Sequence, residues 1–211
     1  MKVILINPNS TEAMTISSTE TAQEAVPEIE FVGWTSFKGP RSIQGHEDGE
    51  RAIGPLLELV TKAEVEKPLA VILSCFDDTG LQKAKQICNC PVLGIGEASF
   101  VFSSLYSNQT AVITTVKEAV PIIKNNITNL GYANKVTDVI AADVEVLDLE
   151  YNPKASAMKF AKASEALNPN IKNIILGCAG AVNIKDEFER LTGYTAFDGV
   201  TSAAKLCRAL L

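Results

Sequence analysis

Two stretches of this sequence share one pattern: VILSCFDDTG at residues 71–80 and NIILGCAGA at residues 173–181. Each is a short aliphatic run that ends in a small residue and a cysteine, which predicts a buried strand followed by a turn. Cys178 follows Cys75 by 103 positions. The recurrence indicates that the chain contains two similar halves.

The rest of the chain alternates apolar runs with amphipathic stretches, which predicts βαβ units and mainly parallel sheets. Strands are predicted at Lys2–Ile6, Ile29–Trp34, Leu69–Ser74, Val92–Ile95, Ala111–Thr114, Lys135–Ala141, Asn173–Leu176 and Thr195–Phe197. One helix is predicted to begin near Ser10, with Asn9 and Glu12 spaced as a capping box. Further helices are predicted at Asp48–Lys62, Leu81–Ile87, Ala98–Leu105, Val116–Leu130, Ala155–Leu167, Lys185–Leu191 and Ser202–Leu211.

The strands of the two halves correspond at nearly constant offsets: Ile4 matches Ile113 at 109 positions, and Val92 matches Thr195 at 103. We therefore predict an α/β fold of two pseudo-symmetric lobes, each a mainly parallel four-stranded sheet flanked by helices. Residues 1–98 and about 198–211 would form the first lobe, and residues 99–197 the second. Ligands bind at the carboxyl ends of strands in open α/β sheets, so the cysteines are expected in a cleft between the lobes.

The composition limits the classes of function. The chain has 211 residues, 46% of them hydrophobic and 21% charged, which is ordinary for a globular protein. Its net charge of −6 argues against nucleic acid and anionic membranes as partners. The apolar run at the N-terminus is too short for a signal peptide, and none approaches the ~18 to 20 residues of a membrane helix. A cytoplasmic protein is expected.

The odd number of cysteines, five, argues against a disulfide framework. Cys88 and Cys90 form a C-x-C motif with no second pair at zinc spacing, and His46 is the only histidine. No metal site is therefore expected. A redox role for the C-x-C motif has no support in the sequence. His46 could form a hydrolase pair with one of the cysteines, but a lone loop histidine is more often structural or exposed.

Cys75 and Cys178, at equivalent places in the two halves, suit opposed acid/base chemistry, although either one alone fits a core residue equally well. Inverting a carbon next to a carbonyl requires a base on one face and an acid on the other, with similar proton affinities. A thiol and a thiolate meet this condition without a metal or pyridoxal phosphate. The turn after Cys75 is expected to begin a helix, whose dipole would lower the pKa of that thiol.

Polar residues at other strand ends are candidates for ligand contact. Asn7 follows the first strand, and Thr114 and Thr115 occupy the matching place in the second half. Ser42 lies in a loop where it would donate to a substrate, and Arg41 beside it is either a carboxylate anchor or a solvated charge. The run GIGEAS (94–99) lacks the third glycine of a dinucleotide loop, so no nucleotide is expected.

These motifs together resemble the hydantoin/allantoin racemase branch of the aspartate/glutamate racemase superfamily. The resemblance runs nearly end to end through INPNST (6–11), GPRSIQGHED (39–48), CFDDTG (75–80), PVLGIGEA (91–98), VITTVKEAVPII (112–123), LGCAGA (176–181) and FDGVTSAAKL (197–206). It implies a homo-oligomer that needs no cofactor and inverts a small molecule with Cys75 and Cys178. It also implies substrate contacts at Asn7, Ser42, Ile43, Phe76, Asp77, Gly96, Thr114, Thr115, Ala179 and Gly180.

The turns after the cysteines depart from those of glutamate and aspartate racemases, which typically show CNT-like and CTH-like sequences. Here Cys75 is followed by Phe76 and Asp77, and Cys178 by Ala179 and Gly180. The side chains that would hold an amino-acid carboxylate and ammonium are missing, which favours a 5-substituted hydantoin or allantoin. An amino-acid racemase, a dicarboxylate isomerase, and a non-catalytic metabolite-binding protein of the same fold are the alternatives.

Overall fold

In a computed structural model that describes residues 1–106 and 109–211, the chain forms two four-stranded sheets. The strands are β1 (Lys2–Asn7), β2 (Glu30–Thr35), β3 (Ala70–Leu73), β4 (Val92–Gly94), β5 (Thr110–Thr114), β6 (Val136–Ala141), β7 (Asn173–Gly177) and β8 (Thr195–Asp198). Their orders are β2-β1-β3-β4 and β6-β5-β7-β8, with every neighbouring pair parallel. The predicted pair of parallel α/β lobes is therefore confirmed.

The helices cover both sheets and connect their strands. They are α1 (Glu12–Ala25), α2 (His46–Val65), α3 (Leu81–Ile87), α4 (Ile95–Ser104), α5 (Ala119–Asn129), α6 (Asp148–Tyr151), α7 (Pro153–Ser164), α8 (Lys185–Thr192) and α9 (Gly199–Arg208), with a 3₁₀ helix at Ala179–Asn183. The sequence did not predict α6 or the 3₁₀ helix, because both are too short to show a helical period. In the part of the chain that the structure describes, no helix has the length and apolar character needed to cross a membrane.

Strand β1 shows why the sheets form where the sequence is most continuously apolar. Val3 and Leu5 pack into the larger core, which extends through α1, α4 and α9 into the second lobe. Ile4 and Ile6 point to the opposite face and pack under α2 and α3. A parallel strand covered on both faces carries apolar residues at consecutive positions rather than alternate ones.

The sheet registers correct the offsets that relate the two lobes. Ile4 lies opposite Val71 in the first sheet, and Ala111 lies opposite Ile174 in the second. With the two cysteines matched, Ile4 therefore corresponds to Ala111, an offset of 107 rather than 109. The same argument matches Val92 with Ala196 instead of Thr195, at 104. A buried aliphatic run looks alike after a shift of one or two residues, so sequence alone did not fix this register.

The N-terminus of α1 is not the predicted capping box. The helix begins at Glu12 with Thr11 at the cap position, and no side chain accepts a hydrogen bond from its first amides. Instead, Asn9 Oδ1 accepts from the Thr11 amide at 2.9 Å and from Asn7 Nδ2 at 3.0 Å. Asn9 therefore orders the turn before the helix.

Asp78 joins the turn after Cys75 to helix α4. Its carboxylate accepts hydrogen bonds from the amides of Gly96 at 3.0 Å and Glu97 at 2.7 Å, which are the otherwise unpaired donors of the first helical turn. At the corresponding place after β8, Asp198 caps its own helix, α9, through the Thr201 amide at 2.7 Å. The residue equivalent to Asp198 is Gly94, which has no side chain, so Asp78 supplies the cap from a distance. The helix whose first amides Asp78 accepts from is thus α4, and not the helix that the sequence predicts directly after Cys75.

Helix α9 packs against α1 and α4. Ala203 is fully buried there and Leu206 is partly buried, whereas Leu210 is exposed. The assignment of residues 1–98 and about 198–211 to one lobe and 99–197 to the other stays a prediction.

We expect Gly94→Ala to destabilise the protein, because the added Cβ would collide with Asp78 Oδ1 and lie 2.8 Å from Leu81 Cδ2. Relieving the collision moves the capping carboxylate or β4, at a cost of about 1–3 kcal/mol in unfolding free energy. Gly49→Ala in α2 is the control, since its Cβ meets Thr79 at an ordinary 3.7 Å and alanine favours the helix. Equilibrium urea unfolding measures both. Equal stability of the two variants would contradict the role given to Asp78.

Candidate active site between the lobes

Both cysteines of the repeated pattern line one cleft. The first sheet contributes residues after β1, β2 and β3, and the second contributes residues at and after the ends of β5 and β7 and after β6. The lining residues are Asn9, Met14, Ile43, Ser74, Cys75, Phe76, Asp77, Thr114, Thr115, Ala119, Val146, Gly177, Cys178 and Ala179. The carboxyl ends of the central strands thus meet across the cleft, as the sequence predicts.

Cys75 is held by an irregular turn and not by a helix N-terminus. The Ser74 amide extends the ladder of β3 by donating to the Ile6 carbonyl at 2.8 Å, and α3 begins only at Leu81. Burial raises the pKa of the Cys75 thiol well above its usual range, and the nearby charge of Asp77 raises it further. The Thr79 hydroxyl, 3.6 Å from the sulfur, opposes this effect. The expected lowering of this pKa by a helix dipole was therefore wrong.

Cys178 lies directly after β7, at the start of the 3₁₀ helix. Burial raises the pKa of this thiol to about 12, and the charges of Asp77 and Glu150 act in the same direction. The backbone amides of Gly180 and Ala179 lie close enough to the sulfur to lower the pKa in part. The two thiols therefore share one dominant influence, which is removal from water.

The turns around the two sulfurs are equivalent in detail. The Asp77 amide favours the thiolate of Cys75, and the Gly180 amide favours that of Cys178, each two residues after its cysteine. The charge of Cys178 also raises the pKa of Cys75, by less than burial and the charge of Asp77 do.

Asn7 orients Asn9 instead of lining the cleft. Its Nδ2 donates to Asn9 Oδ1, to the Thr11 carbonyl and to Thr15 Oγ1, all within 3.1 Å, and its Oδ1 accepts from the Asn9 amide. These bonds occupy the side chain in which the sequence suggested a ligand contact. Asn9 faces the cleft, and the contact of its Nδ2 is the Met14 sulfur at 3.4 Å, a weak acceptor.

Of the substrate contacts predicted in the loop after β2 and at the end of β5, some line the cleft and one does not. Ile43, Thr114 and Thr115 line the cleft, while Ser42 does not. The Thr114 hydroxyl donates to the Gly177 carbonyl at 2.8 Å, so it joins β5 to β7 just below Cys178. The loop that carries Ser42 is fixed to the first lobe, because Thr11 Oγ1 donates to the Arg41 carbonyl at 2.7 Å.

The predicted contacts in the cysteine turns lie partly in the cleft and partly behind it. Phe76, Asp77 and Ala179 line the cleft. Gly96 lies behind the first turn, where an added Cβ would press on the Phe76 carbonyl and the Asp78 carboxylate. Gly180 faces away from the cleft, toward Leu149 Cβ.

The charge of the cleft is one-sided. Among its described lining residues Asp77 is the one ionisable group besides the two thiols, and Lys, Arg and His are absent. Burial raises the pKa of the Asp77 carboxyl to about 7. Arg41, the candidate carboxylate anchor, is exposed and does not line the cleft. The cleft therefore favours a neutral ligand over an anion.

The family model described as Asp/Glu/Hydantoin racemase matches residues 3–207, which is nearly the whole chain. The chain belongs to this family. The match includes both lobes and both turns that carry the cysteines. Membership makes the protein an isomerase of the racemase type.

Individual members of the racemase family are similar along the full chain. A hydantoin racemase from Rhizobium meliloti is 33% identical, over 100% of this chain and 89% of its own length. An allantoin racemase from Klebsiella pneumoniae superposes with a TM-score of 0.92 and 26% identity, covering 100% of this chain and 87% of the other. The allantoin racemase from Pseudomonas fluorescens superposes with a TM-score of 0.92 and 27% identity, covering 100% of this chain and 90% of the other.

Several residues that line the cleft of this racemase were not predicted from the sequence as ligand contacts: Asn9, Met14, Ser74, Ala119 and Val146. Asn9 lies in INPNST (6–11), and its position directly after a predicted strand was the available signal. Val146 comes from the connection after β6, and no feature of the sequence indicated that it would line the cleft. It reaches the cleft because its amide is held by Gln44 Oε1 of the first lobe at 3.4 Å.

We expect Asp77→Asn to make both thiols of this racemase more reactive. Removing the charge lowers the pKa of Cys75 and of Cys178, so the thiolate fraction at a given pH rises. Alkylation at pH 8 should accelerate by about three- to tenfold, since one pKa unit corresponds to about tenfold. Iodoacetamide labelling resolved by peptide mass spectrometry measures each cysteine separately.

Thr79→Val is the matched control for this experiment. It removes the hydroxyl that lowers the pKa of Cys75, so it should slow alkylation of Cys75 and leave Cys178 unchanged. Unchanged rates in Asp77→Asn would contradict the electrostatic picture of the cleft.

Proposed function

We propose that this racemase inverts the stereocentre of a hydantoin-type ring, a 5-substituted hydantoin or allantoin, with Cys75 and Cys178 as opposed acid and base. The observation that carries the proposal is that the two cysteines, one from each lobe, line a single cleft without a cationic side chain among its described residues. The identity with a hydantoin racemase and the similarity to solved allantoin racemases support this substrate class.

The charge of the cleft separates this substrate from the alternatives. An aspartate, glutamate or dicarboxylate substrate would bring carboxylates beside Asp77 with no cation to balance them, and burying an unpaired charge is costly. A hydantoin ring is neutral and presents carbonyl and N–H groups. Apolar side chains of Met14, Ile43, Phe76 and Val146 suit the ring and its substituent.

In the proposed mechanism one cysteine enters each turnover as thiolate and the other as thiol. The thiolate removes the proton from the ring carbon, and the thiol on the opposite face returns its own proton to the same carbon. The two cysteines have then exchanged protonation states, and the reverse reaction uses the same groups. Burial raises the pKa of both thiols, which gives them similar proton affinities and makes each thiolate a strong base.

The intermediate carries its negative charge on a ring carbonyl oxygen, which needs a hydrogen-bond donor in a site withdrawn from water. We assign this role to Asn9 Nδ2. Its contact with the Met14 sulfur is easily replaced by a carbonyl oxygen, and Asn7 holds the other end of the amide in place. The cytoplasmic location and the homo-oligomer expected from the sequence stay predictions.

Cys75→Ser and Cys178→Ser should each abolish racemisation of an enantiopure 5-substituted hydantoin or of allantoin. Loss of a placed acid or base costs about 10²- to 10⁴-fold in rate, and a serine hydroxyl is a far weaker acid and base than a thiol at neutral pH. Loss of optical rotation measures the rate. Cys90→Ser, outside the cleft, is the control and should retain full activity.

The same assay distinguishes the alternatives. Racemisation of aspartate or glutamate, with hydantoins inert, would refute the proposed substrate class while keeping the thiol pair. Tight binding of a hydantoin without any exchange of its ring proton would show a binding protein. Full activity in either cysteine variant would refute the mechanism.

Asn9→Asp tests the assigned donor with little structural change. The aspartate keeps the acceptor oxygen that Thr11 and Asn7 use, but it loses the Nδ2 donor and adds negative charge in the cleft. We expect kcat to fall by about 10²- to 10³-fold, which is typical of losing one donor to a developing oxyanion. Thermal unfolding checks that the fold is intact. A kcat close to that of the parent would remove Asn9 from the mechanism.

A further inference from the structure

A second pair of thiols lies at the opposite edge of the first sheet from the cleft. Cys88 follows the last residue of α3, and Cys90 lies just before β4, which begins at Val92. The cleft forms at the carboxyl ends of the strands, so this C-x-C segment marks the amino end of β4. The last turn of α2 approaches it there with the side chain of Glu64.

The three side chains bring their donor atoms together. The sulfurs of Cys88 and Cys90 and a carboxylate oxygen of Glu64 all lie within 4.8 Å of one another. Across residues 1–106 and 109–211, no other set of three or more His, Cys, Asp or Glu side chains meets the same spacing. Zn–S bonds of about 2.3 Å in a tetrahedral site separate two sulfurs by about 3.8 Å, so only a small closure is needed.

The carboxylate is already aimed at the two sulfurs. Asn89, the residue between the cysteines, donates its backbone amide to Glu64 Oε2 at 3.0 Å and its Nδ2 to Glu64 Oε1 at 2.5 Å. An ionised carboxylate has about four acceptor positions, so both oxygens retain a lone pair for a metal. Hydrogen bonds of this kind orient the ligands of metal sites.

A divalent cation would favour the ionised forms of all three side chains, because it displaces the protons of coordinating thiols and attracts the carboxylate.

We propose that Glu64, Cys88 and Cys90 form a zinc site of two thiolates and one carboxylate, completed by a water molecule. Sulfur donors select zinc over magnesium and calcium, and all three side chains are partly exposed, which leaves a path for the ion. The ion would join the end of α2 to the connection between α3 and β4. The sequence did not reveal this site, because the third ligand comes from a helix 24 positions before Cys88.

Isothermal titration calorimetry with zinc chloride tests the proposal on protein freed of metal by a chelator and kept reduced. Cys75→Ala and Cys178→Ala are combined as the parent background, so that the thiols in the cleft do not contribute. We expect about one zinc per chain and, from titrations in buffers of different ionisation enthalpy, release of about two protons at pH 7. Cobalt(II) should give the charge-transfer absorption of thiolate coordination.

In this background, Cys88→Ser and Cys90→Ser should each weaken zinc binding by about 100-fold or more, and Glu64→Gln by about 10- to 100-fold. The matched control is Glu66→Gln, two residues further along, whose carboxylate pairs with Lys2 instead. Zinc should raise the melting temperature of the parent and of Glu66→Gln, but not that of Cys90→Ser.

Three results would overturn the proposal: no saturable zinc binding, binding that survives both serine substitutions, or formation of a Cys88–Cys90 disulfide as the only response to metal and air. Melting temperatures measured without metal show whether each variant is folded, so a loss of binding is not mistaken for unfolding.

Discussion

The parallel pairing of β3 beside β1, and of β7 beside β5, fixes the position of Cys75 and Cys178. Strands β3 and β7 are central in their sheets, and every strand of a sheet ends at the same edge. A cysteine placed just after each central strand therefore emerges in the middle of its lobe's carboxyl edge. Because both lobes are built alike, two such edges facing each other present two equivalent sulfurs to one cleft.

Burial in this cleft determines its chemistry. Removal from water raises the pKa of both thiols, and the charge of Asp77 raises both further. In the mechanism that we propose, this shared influence gives the two thiols the similar proton affinities that a reversible proton exchange requires. Because Lys, Arg and His are absent from the described lining residues, the buried cleft favours a neutral ligand. In the proposed mechanism, Asn9 Nδ2 would donate to the oxygen of the intermediate.

The sequence was informative where one residue type has one physical meaning. Apolar runs predicted all eight strands, and the repeated small-residue–cysteine pattern located both sulfurs at strand ends. It was uninformative about features that depend on contacts between distant segments. The left-handed backbone of Asp78, with φ near 50°, turns its carboxylate toward α4. No local sequence pattern indicates this contact, because Asp78 and α4 are far apart along the chain.

The exchange of roles between Asn7 and Asn9 has the same origin. Both follow β1 within one turn, and only the complete hydrogen-bond network shows which amide is occupied and which faces the cleft. Glu64 beside Cys88 and Cys90 is a third example, since a helix end and a loop meet there only in the folded chain.

The central claim, that opposed thiols each handle one face of the substrate, is tested most directly by the distribution of deuterium early in the reaction. An enantiopure 5-substituted hydantoin that exchanges slowly in buffer is incubated with the protein in deuterated water. The two enantiomers are then separated, and the deuterium content of each is measured by mass spectrometry. We predict deuterium at the stereocentre of the newly formed enantiomer and protium in the remaining starting enantiomer. Equal deuterium in both enantiomers from the first turnovers would mean that one group serves both faces, and it would contradict the two-thiol mechanism.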